Sequence, residues 1–178
     1  MAAIADDLRA IVVTATSPDG RIEGRMESLE YITLRFLSDS YEQYYRRRDA
    51  ESLAHQLGRG ATLMATAYQR ARRAVMLTHS FERYSSLRPP FSSRHREYLE
   101  RGAEIRSRGG SPDREIQVTA VALMEYHVII TPDVLDRHEE RGFLQLADAA
   151  MNDLRADHRR AHTALRHELY LKYKDRER

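Results

Sequence analysis

His158 and His162 stand four residues apart in "ADHRRAHTALRHE", a spacing that puts two imidazoles on one face of a helix. Such a pair is half of a helical zinc site, which also needs a third ligand and, for hydrolysis, a carboxylate. No carboxylate completes the motif, since Glu168 lies about two turns further on. His158 also falls within an apolar stripe, so the pair reads as interface histidines. The chain has no cysteine, which excludes disulfides, thiolate nucleophiles and cysteine zinc sites. It contains no G-x-S-x-G elbow, no G-x-x-x-x-G-K-S/T loop and no G-x-G-x-x-G turn. Gly58-Arg59-Gly60 and Gly109-Gly110 are too sparse to cradle phosphates. The expectation is a protein that is not an enzyme, with no cofactor and no metal.

Charge carries the remaining chemistry. The pI is about 9.0, yet the formal net charge is only +2. Bulk attraction to nucleic acid is therefore excluded, and any electrostatic case rests on local patches. Of the 29 basic residues only Lys172 and Lys174 are lysine. From Gly58 to Ser80 there is no acid, while Arg59, Arg70, Arg72 and Arg73 add +4. At helical period Arg59, Arg70 and Arg73 fall opposite the apolar stripe. From Arg155 to Arg178 eight basic residues, among them Arg155, Arg159, Arg160 and Arg166, meet four acids. Asp133 to Asp153 holds six acids and two arginines, an excess of the opposite sign. Arginine suits phosphate because its planar fork binds oxygens in pairs. "YYRRRD" at 44–49 sets three arginines beside aromatics and reads as a solvated loop with a buried tyrosine.

The elements that must position these groups are written twice. A shift of 94 places Ser17, Pro18, Asp19, Ile22 and Leu29 on Ser111, Pro112, Asp113, Ile116 and Leu123. One extra residue then brings Glu30-Tyr31 onto Glu125-Tyr126, and its loss brings Asp39 onto Asp133. In each copy "SPD" is a turn between two strands. The first strands are "IVVTAT" and "EIRSRG". The second alternate from Ile22 to Met26 and from Ile116 to Ala122. The third run from Tyr31 to Leu37 and from Tyr126 to Thr131. Leu53, Leu57, Ala61, Met64, Tyr68, Ala71 and Val75 make one helical stripe. Leu144, Ala147, Met151, Leu154, Ala161, Leu165 and Leu169 make another. Short helices precede each sheet, over Ala3 to Ala10 and from Ser92 or Ser93 to Gly102. Pro89-Pro90 marks a linker. The fold class is α+β: two tandem α-β-β-β-α repeats, 1–84 and 92–178, joined by a linker at 85–91. Each is a three-stranded antiparallel meander closed by a long amphipathic helix. A core of this size is thin, so the copies are expected to pack together as an intrachain pseudo-dimer. A fused dimer can pair its copies within one chain or exchange them between two, which leaves a homodimer open.

The text "VTATSPDG", then "LEYITLRFLSD", then the Leu53 to Val75 helix resembles the YbaB/EbfC nucleoid-associated family. The likeness covers residues 1 to about 80. The second copy matches more weakly, since "GGSPDREI" lacks the turn glycine. The resemblance implies a small α-β-β-β-α domain that dimerises and binds DNA with little sequence preference.

On these grounds the chain is expected to be a non-catalytic protein that holds double-stranded DNA mainly through phosphate contacts. The contacts would come from Arg59, Arg70, Arg72 and Arg73, from Arg155, Arg159, Arg160 and Arg166, and from the Arg94 to Arg108 segment. The alternative is a protein-interaction module, a chaperone or secretion accessory, which the near-neutral total charge and the acidic 133–153 stretch favour. No window is apolar enough to span a membrane, and "MAAIADDLRA" lacks the basic and apolar regions of a signal peptide. The expected location is the cytoplasm, in association with the nucleoid.

Overall fold

Alternating side chains on either side of each "SPD" turn produce two antiparallel meanders. The computed structural model describes residues 2–27, 31–79 and 92–174, so the 85–91 linker lies outside the described residues. The order is α1 (Ala2–Arg9), β1 (Val12–Thr16), β2 (Ile22–Glu27), β3 (Tyr31–Phe36), α2 (Ser40–Arg47) and α3 (Ala50–His79). There follow α4 (Ser93–Ala103), β4 (Arg106–Gly110), β5 (Ile116–Val121), β6 (Glu125–Ile130), α5 (Val134–Arg137) and α6 (Glu140–Tyr173). The sheets are β1-β2-β3 and β4-β5-β6, both antiparallel, each followed by helices.

The two meanders share one register. Val12 pairs with Glu27 and Ile22 with Phe36; Arg106 pairs with Val121 and Ile116 with Ile130, so the shift is 94 positions (12 to 106, 36 to 130). The turns agree in their backbone bonds and in the serine that accepts from the second strand, while Asp19 adds bonds to Ser17 Oγ and to Arg21 N that Asp113 does not make. The Ile22 N–H donates to Ser17 Oγ and the Ile116 N–H to Ser111 Oγ, both at 3.0 Å. Gly20 N donates to Ser17 O and Arg114 N to Ser111 O, both at 2.9 Å. These bonds explain the repeated serine: its buried hydroxyl closes the turn from inside. Gly20 has φ +72°, and Arg114 takes the missing glycine's place at φ +56°, a conformation that costs an L residue about 1–2 kcal/mol.

Three expectations are corrected. Tyr31 corresponds to Glu125, not Tyr126, because no extra residue enters the ladder (Glu27↔Tyr31, Val121↔Glu125). β5 ends at Val121, and Ala122 and Leu123 form the turn, at φ 51° and 55°, with Met124 N bonded to Val121 O at 2.8 Å. Two positive φ values in succession are the mark of a type I′ hairpin, normally built with glycine or asparagine. The 40–47 region is a helix, with Tyr44 buried and Tyr45 exposed, so only the end of "YYRRRD" is loop.

The apolar stripes do the packing. Asp49 caps α3, accepting from Ser52 N at 3.1 Å. Leu53, Leu57, Ala61, Met64 and Tyr68 are buried along it. α3 lies over β1 and β2 of its own sheet and also against β6 of the other, whereas α6 lies over β4 and β5. The largest core cluster draws on both copies: Phe36, Tyr44, Leu53 and Leu57 pack with Ile116, Val118, Phe143 and Leu154. Phe143 sits 6.0 Å from Phe36 and 5.5 Å from Tyr41, ring centre to ring centre. A second cluster, Ile11, Met26, Ile32, Met64 and Tyr68, belongs to the first copy alone. Its counterparts to Met64 and Tyr68, 94 places on, are His158 and His162.

Candidate nucleic-acid interface

α3 displays its arginines because its other side is buried. Arg59, Arg70, Arg72 and Arg73 are all exposed, and beyond Glu51 the helix carries no acid. Among the described residues Arg59, Arg70 and Arg72 have no ion pair or hydrogen bond, while Arg73 is engaged. Arg59 and Arg70 are three turns apart on one line, about 16 Å, which is roughly five base-pair steps of a duplex. The two glycines beside Arg59 do not break the helix. A Cβ on Gly58 would stand 3.1 Å from Tyr126 O, so this glycine lets α3 close on β6. Thr62 secures the contact: its Oγ1 accepts from Tyr126 N at 3.1 Å.

The arginines of α6 divide. Arg159 and Arg166 are exposed, with Arg166 reaching Thr163 Oγ1 at 3.5 Å. Arg160 is exposed but paired with Asp157 at 3.2 Å. Arg155 is the correction: it is buried, 8% exposed, and its Nη1 donates to Asn152 Oδ1 at 3.3 Å. It faces the sheet, where its charge bears on the half-buried Tyr126, and it leaves the exposed set. Burial dominates at Tyr126 and pushes its pKa up to about 12. The two helices therefore do not present matching ridges. At the 94-residue shift only Arg72 and Arg166 are equivalent (72 to 166). In the Arg94 to Arg108 segment, Arg94 stacks over Tyr170 and Arg101 grips Glu168 through two bonds of 2.6 and 2.8 Å.

The open face of the second sheet adds a basic patch absent from the first copy. Arg106 and Arg108 point outward from β4 beside Thr119 of β5 and His127 of β6. A depression of 820 Å³ brings Arg108 and Arg114 together with Arg160. The equivalent face of the first sheet neutralises itself, with Arg25–Glu27 at 2.6 Å and Arg35–Glu23 at 2.7 Å. Two acids border the depression, and both serve the fold. Asp157 accepts from Arg108 N at 3.0 Å and Asp153 from Gly110 N at 3.1 Å, sealing the outer edge of β4. The Arg108 N–H, then the Arg160 guanidinium, hold the Asp157 carboxyl below the usual range against its slight desolvation. The period-two spacing Arg106-x-Arg108 was the available sequence signal for this patch.

His158 and His162 sit between α6, α4 and β4. Their rings are 4.5 Å apart, edge to face. His158 Nδ1 meets Ser107 Oγ at 3.0 Å and His162 Nδ1 meets the Tyr98 hydroxyl at 3.1 Å. Burial, more than any nearby charge, pushes both imidazoles below their ordinary pKa. Among the described residues no group of three or more His, Cys, Asp or Glu could hold a metal ion. Two of the "YYRRRD" arginines are paired: Arg46 with Glu42 one turn back at 2.5 Å, and Arg48 with Asp136 of the second copy at 3.2 Å. Among the described residues no helix is long and apolar enough to cross a membrane. Comparison with protein-family models, with curated proteins and with solved structures returns no match.

Proposed function

We propose that the chain is a non-catalytic DNA-binding protein of nucleoid-associated type, similar to the YbaB/EbfC family, that holds duplex DNA by its phosphates. The observation that carries this reading is the acid-free course of α3 beyond Glu51, where Arg59 and Arg70 stand exposed and unengaged on the outer face and Arg72 stands exposed on its flank. Guanidinium groups kept free of carboxylates remain available to phosphate oxygens, which they bind in pairs. Arg159 and Arg166 on α6, and Arg106 and Arg108 on β4, extend the basic surface. Since no helix is offered to a groove by any recognisable motif, the contacts are to backbone and carry little sequence information.

The constant 94-residue shift and the core that mixes both copies support a further part of the proposal, that one chain does the work of a dimer. Its two halves are not equal binders. The arginines of the first copy lie on its long helix, and those of the second are shared between helix and sheet.

The test is binding to two unrelated labelled duplexes of about 30 base pairs at low salt. The proposal expects both to bind with similar affinity. Binding to neither removes it, and strong preference for one removes the backbone mechanism.

A further inference from the structure

The two sheets share one ladder phase but treat their third strands differently. Leu37 N donates to Arg21 O at 2.8 Å, and Thr131 N donates to Glu115 O at 2.9 Å. In an antiparallel ladder these bonds decide which residues turn their N–H groups outward. In β3 they are Ile32 and Leu34, and in β6 they are Tyr126 and Val128. The β6 edge is closed. Tyr126 N is taken by Thr62 Oγ1, and Gly58 lets the α3 backbone lie over the strand.

At the same shift, α6 offers Asn152 where α3 has Gly58, and Ala156 where α3 has Thr62 (58 to 152, 62 to 156). A side chain replaces the glycine that allowed close approach, and the capping hydroxyl is gone. α6 accordingly lies less closely over β3 than α3 does over β6, meeting it at Phe36 through Phe143. Among the described residues nothing outside the sheet bonds to Ile32 N or Leu34 N. A groove of 590 Å³ opens there, walled by Ile32, Thr33 and Leu34 on one side and by Leu144, Gln145 and Asp148 on the other. None of the usual edge guards is present in β3: it has no proline and no lysine, and its Arg35 is engaged by Glu23.

We propose that this groove docks an extended, basic segment of a partner protein, which adds to β3 as a fourth strand. The open N–H and C=O groups of an edge strand select an extended backbone. The rim selects its charge, since Glu139, Glu140 and Asp148 outweigh Arg141. A second copy of the chain fits poorly, because a two-fold interface through β3 would set the same acids against themselves. The acidic rim likewise repels nucleic acid, so this surface is separate from the arginine faces, and either proposal can fail without the other.

The experiment uses the full chain and a capped nonapeptide of alternating lysine and valine, with a glutamate-for-lysine version as its partner. Amide hydrogen exchange is read residue by residue by NMR. The lysine peptide should slow exchange at Ile32 and Leu34 by about tenfold or more and leave Tyr126, already bonded, unchanged. The glutamate peptide should bind at least about tenfold more weakly, and E140K/D148K should lose about tenfold in affinity for the lysine peptide. Should that variant fold poorly, the two peptides on the unaltered chain still decide. No protection at Ile32 and Leu34, or equal binding of both peptides, overturns the proposal. So does a dimer in sedimentation whose Ile32 and Leu34 amides are protected without peptide, since the occupant would then be a second copy.

Discussion

Replacing Gly109 by alanine should unseat α6 from β4. A Cβ built at Gly109 would lie 2.7 Å from Leu154 Cα and closer still to Leu154 N and Ala150 O. These are backbone atoms that no rotamer change can move, so the helix must withdraw by about 1 Å. Ala150 and Leu154 are fully buried in the core shared by the two copies, and that contact loosens first. The same withdrawal stretches the bonds from Arg108 N to Asp157 and from Gly110 N to Asp153, at 3.0 and 3.1 Å. Overpacking of this kind costs about 1–3 kcal/mol. Two weakened hydrogen bonds to carboxylates bring the total to about 3–5 kcal/mol. At this chain length a loss of about 4 kcal/mol lowers the melting temperature by about 8–16 °C. Gly110→Ala is the control, because its nearest atom would be Ile116 O at an ordinary 3.7 Å, and it should cost less than about 1 kcal/mol. Thermal melts and urea titrations followed by circular dichroism measure both variants. A G109A chain within about 1 kcal/mol of the unaltered protein would refute the seating of α6 on β4.

Four further outcomes follow from the same geometry. Ser17→Ala and Ser111→Ala each orphan a buried N–H and should cost about 1–3 kcal/mol by urea titration, Ser17→Ala the more because its hydroxyl also donates to Asp19 at 2.6 Å; a loss below about 0.5 kcal/mol in either would contradict the closing role of the serine. Arg114→Gly relieves the positive φ and should stabilise the chain by about 0.5–1 kcal/mol, whereas a loss of stability would show that Arg114 does more than fill the turn. Since burial lowers the folded-state pKa of His158 and His162, their neutral forms are favoured in the fold. Stability is then full above the unfolded value near 6.5 and falls as pH drops below it, by at most about 1.4 kcal/mol per pH unit for each ring. Installing the first copy's residues, as H158M/H162Y, should flatten urea-measured stability between pH 6.5 and 5, and an unchanged slope would contradict the assignment.

The parts of this fold that depend on local periodicity were legible in the sequence. The alternation around each "SPD" located the meanders, and the stripes Leu53 to Val75 and Leu144 to Leu169 located α3 and α6, because strand and helix periods are properties of neighbouring residues. What depended on distance across the molecule was hidden. Gly58 read as a weak point in a helix, yet its role is set by β6, 68 residues further on at Tyr126 (58 to 126). Arg155 read as a surface cation because it opens the basic run to Arg178, but α6 is buried over a wide arc where it meets β4, and the guanidinium is trapped there. The step of one residue before Tyr126 came from matching letters, and the hairpin absorbed no such step because Ala122 and Leu123 both turn at positive φ. The open edge of β3 could not be read at all, since it arises from how far α6 stands from the strand.

The most direct measurement of the central claim is the salt dependence of DNA binding by the unaltered chain and by R59Q/R70Q, followed by fluorescence anisotropy. Each guanidinium that neutralises one phosphate contributes about 0.9 to the slope of log affinity against log salt. The account predicts that the variant folds normally, binds both duplexes more weakly, and loses about 1.8 from that slope. Equal affinity and equal slope for the two proteins would contradict it, because the α3 face would then carry no phosphate.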